Sequence, residues 1–404
     1  MRHGSLRYPV AAAALLLLAG CGPEAADAGR APADVPYPVG ALPPRLPAAG
    51  PPGEAGGWDV LSADFHDTTH GFALLYRCPQ DGDPVARCEQ RLSVLDDGGW
   101  AERTVPLPPA GGDDGVSAVV TSLGPRTALV TDYTVDRDAP GLFTTDGGRT
   151  WTKVDRDASG TTVRIPDGVS PAFWCDSPDE NMDCERPRLA AHDPATGRLR
   201  VLAVQPPLDL AHDWRVEPLA DGTWWVWGRD PASGDLVVAS SRDDGRSWRT
   251  SRLAGDPGDV MRVDVFGTTG RTLYASLARE STATAETTKN PLSAVYASTD
   301  GGRTWDRRWT HRQGRAPWSA LGTPLVGADG SLLLVTEDDR VFRSRDGART
   351  FAPGGSPDDA PGAGRWVWRT RAGYLLTDGA TIRLSADGTR WSEHHPAEPF
   401  GRRG

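Results

Sequence analysis

The sequence predicts an all-β protein of about seven repeated units, each built from short antiparallel strands. Three observations point there. Glycine and proline make up about a fifth of the 404 residues, a level that favours many turns over long helices. An eight-residue turn pattern recurs at spacings typical of one supersecondary unit. Between the turns lie short apolar or alternating runs, the period-2 signature of half-buried strands. With glycine included, the apolar share is ordinary for a globular chain, so a large core can form and a wholly disordered chain is excluded.

The turn pattern is cleanest at Ser298-Thr299-Asp300-Gly301-Gly302-Arg303-Thr304-Trp305. Thr144 to Trp151 and Ser241 to Trp248 repeat it. Ser344 to Phe351 carries Ala348 where the others have glycine, and Ser385 to Trp391 is one residue short. The chemistry is local. An aspartate side chain accepts turn N–H groups, glycine supplies a positive φ, and Ser or Thr helps close the loop. Asp146, Asp243, Asp300, Asp346 and Asp387 are therefore read as turn formers. Trp151, Trp248, Trp305, Phe351 and Trp391 are read as anchors that pack into the apolar layer beside each hairpin. They account for part of the 15 tryptophans.

Spacing sets the number of units. The five aspartates are separated by 97, 57, 46 and 41 positions. The first gap is about two units of ~40–50 residues, so a further turn is expected near Asp193, between two apolar runs. Leu95-Asp96-Asp97-Gly98-Gly99-Trp100 is read as a degenerate copy one unit before the Asp146 turn. In the second unit strands are expected over 116–123, 127–133, 141–145 and 151–155. In the fourth they are expected over 214–219, 223–227, 235–240 and 248–253.

The pattern resembles the Asp-box, or BNR repeat, S-x-D-x-G-x-T-W. That resemblance implies a hairpin between the third and fourth strands of a β-propeller blade. In the first unit, Asp67 to Ala73 reads D-x-x-x-G-F-A, similar to blades of the photosystem II assembly-factor type of seven-bladed propeller. The expectation is a seven-bladed β-propeller of four-stranded antiparallel blades over 57–398. Six blades of the sialidase type, plus an extra hairpin, is the alternative.

The N-terminus reads as an address. Arg2 and Arg7 precede the apolar run Val10 to Leu18, which is too short to span a bilayer. The run ends in Leu18-Ala19-Gly20-Cys21, which resembles the lipobox of bacterial lipoproteins. The resemblance implies a signal peptide over 1–20 and lipidation of Cys21. A Pro/Ala/Gly-rich tether is expected over 21–56, and a short tail over 399–404. Four cysteines remain in two close pairs, Cys78 with Cys88 and Cys175 with Cys184. In an oxidising compartment two local disulfides are the simple reading. A zinc site competes, but there is no C-x-x-C and no suitably spaced histidine.

The net charge is −10, and lysine occurs only at Lys153 and Lys289. The arginine preference reflects GC-rich coding, which suggests a high-GC Gram-positive source. No basic run is present, so a nucleic-acid backbone binder is excluded. No phosphate loop, G-x-S-x-G elbow or nucleophilic cysteine is present, and no cofactor or metal is expected.

Asp-box propellers include the sialidases, which clamp a carboxylate with an arginine triad and use a tyrosine nucleophile and an acidic acid/base. An Arg-Ile-Pro motif supplies the first arginine of that family. Arg164-Ile165-Pro166 matches it, although it follows a turn repeat instead of preceding the first one. Arg262, Arg365 and Arg369 are the other arginine candidates, and Tyr274, Tyr296 and Tyr374 the tyrosines. His66 and His70, the pair His394-His395, and the acidic residues Asp64, Asp67, Asp176, Asp179, Glu180 and Asp183 are read as solvated loops. Strand alternation puts Trp225 and Trp227 on one face, Trp224 on the other, and Trp366 with Trp368 on one face. Blade packing is the ordinary use for them and an aromatic floor for a ligand the functional one. The expected function is a lipid-anchored monomeric scaffold, facing the membrane's outer side, that binds a protein, peptide or glycan. A sialidase-like exo-glycosidase is the alternative.

Overall fold

The computed structural model describes Tyr37–Pro38 and residues 57–400, leaving aside 79–86, 108–109, 112–116, 133–138, 176–183, 185, 212–215, 217, 256–259, 268–271, 280–290, 313–314, 328 and 355–366. It is a seven-bladed β-propeller. Blade 1 is Asp59–Phe65, Gly71–Arg77, Arg87–Asp96 and Gly99–Arg103. Blade 2 is Ala118–Gly124, Thr127–Asp132, Gly141–Thr144 and Thr152–Val154. Blade 4 is Asp209–Leu210, Trp224–Arg229, Leu236–Ser241 and Arg249–Arg252. Blade 5 is Val260–Gly267, Leu273–Arg279, Leu292–Ser298 and Asp306–Thr310. Blades 6 and 7 run from Leu325–Val326 to Ala352–Pro353 and from Trp368–Thr370 to Ser392–His394. In these six blades each strand pairs antiparallel with the next in sequence.

Seven apolar clusters among the described residues form the seven blade interfaces. Strand alternation builds them. In blade 1, Phe72 and Leu74 face blade 2, joining Val120 and Val130. Ala73 and Leu75 face the other way and join Leu375 and Leu384 of blade 7. Burying one large apolar side chain stabilises by roughly 1.5–3 kcal/mol, so each interface holds its blades firmly. The seam between blades 7 and 1 also carries a bond from Val60 N–H to Gly379 O, at 2.8 Å. Trp58 packs tilted against Phe400 there, ring centres 5.0 Å apart.

Blade 3 departs from the pattern. Pro171–Trp174, Arg188–His192 and Leu199–Leu202 are antiparallel, but the outer strand is Thr161–Thr162, parallel to Leu199–Leu202. The chain reaches this blade at its outer edge. It passes Ile165, whose N–H donates to Asp244 O at 2.8 Å, and arrives at Gly168, packed against His66.

Both cysteine pairs are disulfides, Cys78–Cys88 and Cys175–Cys184. Cys21 lies outside the described residues. Tyr37–Pro38, within the stretch expected as a tether, pairs antiparallel with Arg315–Ala316.

One strand expectation and two turn expectations are corrected. Blade 4 begins at Asp209–Leu210, not within 214–219. Gly228 explains the choice: a Cβ there would lie 2.0 Å from Asp209 O, so only glycine admits that close strand. The hairpins at Asp96 and Asp193 are present but are not copies of the eight-residue turn. Asp97 and Gly98, with φ of 50° and 86°, form a two-residue hairpin loop. Asp193 takes its own turn form, accepting Ala195 N–H on its side chain and Gly197 N–H on its carbonyl. Asp230 does the same with Ala232 and Gly234, in the matching sequence Asp-Pro-Ala-Ser-Gly.

The turn at Asp300 shows what the eight-residue repeat does. Asp300 Oδ1 accepts the N–H groups of Arg303 and Thr304, at 2.9 and 3.0 Å, and Ser298 Oγ at 2.8 Å. Its Oδ2 accepts Thr304 Oγ1 at 2.8 Å. These bonds hold the carboxyl far below the usual carboxylate range. Asp146, Asp243 and Asp346 bind the Ser or Thr residues of their turns in the same way. The arginine after the turn glycines braces the loop, with Arg149, Arg246, Arg303 and Arg349 each donating to the carbonyl of the turn aspartate. The aromatic residue ties each blade to the one before. Trp151 Nε1 reaches Thr104 O, Trp248 Nε1 reaches Val204 O, and Trp305 Nε1 reaches Ser251 Oγ.

Candidate functional site

The residues singled out for sialidase-like chemistry fall in different places. Arg164 lies at the blade 3–blade 4 boundary, paired with Asp167 at 3.1 Å and Asp244 at 3.7 Å. Ile165, next to it, is buried among Leu189, Leu202 and Trp224. Arg262 is on the first strand of blade 5, bound to Asp264 at 2.8 Å and donating to Ala320 O at 3.3 Å. Tyr374 is buried between blades 6 and 7, where burial raises its pKa and the nearby Arg369 opposes the rise. That net shift is opposite to the activation a nucleophile needs. Tyr274 and Tyr296 are likewise buried, in the blade 5–6 and blade 4–5 interfaces. Arg365, Trp366, Asp176, Asp179, Glu180 and Asp183 lie outside the described residues.

The first hairpin of blade 7 sends two arginines across the ring. Arg369 donates to Val265 O of blade 5, at 3.4 Å, and to Pro218 O, which precedes the second strand of blade 4. Arg371 donates to Val169 O at 3.5 Å and lies over the Trp224 ring at 5.7 Å. Burial raises the Asp264 pKa, while Arg262 and Arg369 pull it down. These side chains brace opposite blades against each other, and their hydrogen-bonding capacity is turned to the protein itself.

The tryptophans serve packing. Trp225 and Trp227 face blade 5, where Trp225 meets Trp305 edge-on at 5.9 Å. Trp224 faces blade 3, and Trp368 packs into the blade 7–blade 1 seam.

An open cleft of about 640 Å³ lies between blades 4 and 5, beside the turn of Asp300. Arg242, Arg249 and Arg303 line it, with Trp248 and with the carboxylates of Asp221 and of Asp300, the latter engaged in its own turn. The fold makes the cleft by setting neighbouring turns side by side: Arg242 belongs to the blade 4 turn, and its Nη2 would lie 3.0 Å from a Cβ on Gly301 of the blade 5 turn. Arg249 opens the fourth strand of blade 4. Arg303 Nε is engaged with Asp300 O. Among the described residues Arg242 and Arg249 make no ion pair, and both are exposed. Trp248 is half-buried and fixed by its bond to Val204 O. The sequence contains all of these residues, but only the contact between two turns 57 positions apart shows that they share a wall.

No protein-family model and no curated protein matches the chain. Among solved structures it is similar to Kuenenia stuttgartiensis hydrazine synthase, at 14% identity and a TM-score of 0.40, over 84% of this chain and 96% of that one. It is similar to a putative 6-phosphogluconolactonase from Bacteroides uniformis, at 12% identity and TM-score 0.35, over 74% and 95%. A protein from Lactobacillus plantarum matches at 10% identity and TM-score 0.38, over 73% and 84%.

Proposed function

We propose that this propeller is an exported, lipid-anchored binding scaffold that holds an acidic glycan in the cleft between blades 4 and 5. The observation that carries the reading is a pair of exposed guanidinium groups, Arg242 and Arg249, that make no ion pair among the described residues and stand on the wall of an open cleft that also presents Trp248. A guanidinium offers a planar fork of donors to a carboxylate or phosphate. An indole face next to it suits the apolar face of a sugar ring. The two disulfides agree with export into an oxidising compartment. The proposed anchor is Cys21, which labelled palmitate incorporation, lost in Cys21→Ala, would test.

Calorimetry with acidic and neutral oligosaccharides of matched length tests the ligand class. Acidic chains bind and neutral ones do not, and the affinity falls as salt rises. Arg249→Ala lowers the affinity about tenfold, the loss of one charge-assisted contact. Equal binding of neutral chains, or acidic binding unchanged in an Arg242→Ala/Arg249→Ala variant, sinks the proposal.

A further inference from the structure

Blade 1 brings its two hairpins together in a way the binding cleft does not use. His70 closes the first hairpin, and Asp96 and Asp97 form the last. Both Asp67 carboxylate oxygens lie 3.0 Å from His70 Nδ1. The same carboxylate accepts the backbone N–H groups of Thr69 and His70, at 2.7 and 2.8 Å, so it is itself held in place. In the neutral imidazole this contact favours the tautomer with the proton on Nδ1 and the lone pair on Nε2. Nε2 looks at Asp97 Oδ1 from 3.7 Å and at Asp96 Oδ1 from 3.8 Å. These separations are too long for hydrogen bonds. In that tautomer all three atoms are acceptors, and they lie within 4.8 Å of one another. Asp96 keeps Oδ1 for this cluster, because its Oδ2 accepts Arg126 Nη2 at 2.6 Å.

We propose that His70 Nε2, Asp96 Oδ1 and Asp97 Oδ1 bind a divalent transition cation, zinc above all, with Asp67 as the positioning residue behind the imidazole. Converging acceptors without a donor call for a cation at their centre. Neighbouring ligands of a tetrahedral zinc, with bonds of about 2.0–2.2 Å, stand roughly 3.3–3.6 Å apart, close to the 3.7 and 3.8 Å that separate Nε2 from the two carboxylate oxygens. An imidazole oriented through Nδ1 by a carboxylate is the usual support for a metal-bound histidine. The nitrogen ligand selects against calcium and magnesium, which take oxygen sets. Three protein ligands leave a fourth position for water or for a donor group of a bound partner.

The test is zinc titration of the full chain after chelator treatment, by calorimetry. One zinc binds per chain, with calcium failing to compete at equal concentration. His70→Ala abolishes binding, and Asp67→Asn weakens it about 10- to 100-fold. Asp97→Asn weakens it too and leaves the unfolding temperature of the metal-free chain unchanged, since Asp97 is 88% exposed and asparagine tolerates its positive φ. X-ray absorption of the zinc-loaded chain shows nitrogen and oxygen neighbours with one imidazole. Absence of zinc uptake overturns the proposal, as does uptake that survives both His70→Ala and Asp97→Asn.

Discussion

The last hairpins of blade 5 and blade 1 contain the same residue types and use them oppositely. In blade 5 the Asp300 carboxylate is consumed by its own turn, taking four hydrogen bonds from Ser298, Arg303 and Thr304. In blade 1 the turn is made by backbone conformation, with Asp97 and Gly98 both at positive φ. Asp96 and Asp97 are thereby released to face His70 and Arg126. Both turns place residues at positive φ, but only in blade 1 are the carboxylates left to side chains outside their own loop.

The sharpest way to break this comparison is at the glycine of the blade 5 turn. Gly302 has φ of 81°, and a Cβ there would come within 2.1 Å of the Trp225 ring. Gly302→Ala costs about 3 kcal/mol in urea unfolding, from left-handed strain and overpacking together. A loss below about 1 kcal/mol would show that the turn relaxes freely.

A smaller effect is expected from the carboxylate itself. Burial pushes Asp346 up, but the bonds from Thr350, Ser344 and Arg349 hold it below the usual range. Its folded pKa is lower than its unfolded value near 3.9. The stability it contributes is therefore full above about pH 4 and is lost as pH falls through the folded value. Asp346→Asn should cost about 1–2 kcal/mol at pH 7, and its stability should fall less steeply below pH 4 than that of the parent. Parallel acid profiles would show that the turn does not need the charge.

The smallest effect sharpens the comparison within the repeat. Ala348 stands at the glycine position of the blade 6 turn, at φ of 68° and fully buried. Ala348→Gly relieves about 1 kcal/mol of left-handed strain and loses about 0.8 kcal/mol of methyl burial. The net change in unfolding free energy should stay within about 0.5 kcal/mol.

The legible part of this molecule is the part whose causes are local. The turn aspartates, their glycines and their aromatic anchors stand within eight residues of each other, so the sequence displays their chemistry directly. Alternation in Trp224, Trp225 and Trp227 likewise assigned faces that the interfaces use. What escaped depends on distant pairing. Thr161–Thr162 joins blade 3 as a parallel edge strand, which no local pattern encodes. Arg369 and Arg371 find partners only because seven blades close a ring. His70 meets Asp96 and Asp97 only because two hairpins of one blade end side by side. The blade 4 edge strand was misplaced because Gly228 acts through its lack of a side chain, a signal weaker than a run of apolar residues.

The seam between blades 7 and 1 has a mechanical consequence. Each of these blades is built from one continuous stretch of chain, so no strand is woven across the join. Apolar contacts, the Val60–Gly379 bond and the Trp58–Phe400 contact hold it. Residue 57 leads directly into this join, and upstream Tyr37–Pro38 is paired with Arg315–Ala316, so tension drawn through the N-terminal segment meets that short pairing first and the seam next. The ring closes as a clasp held mainly by buried apolar area, and once the Tyr37–Pro38 pairing parts, its first blade is the one that takes the load.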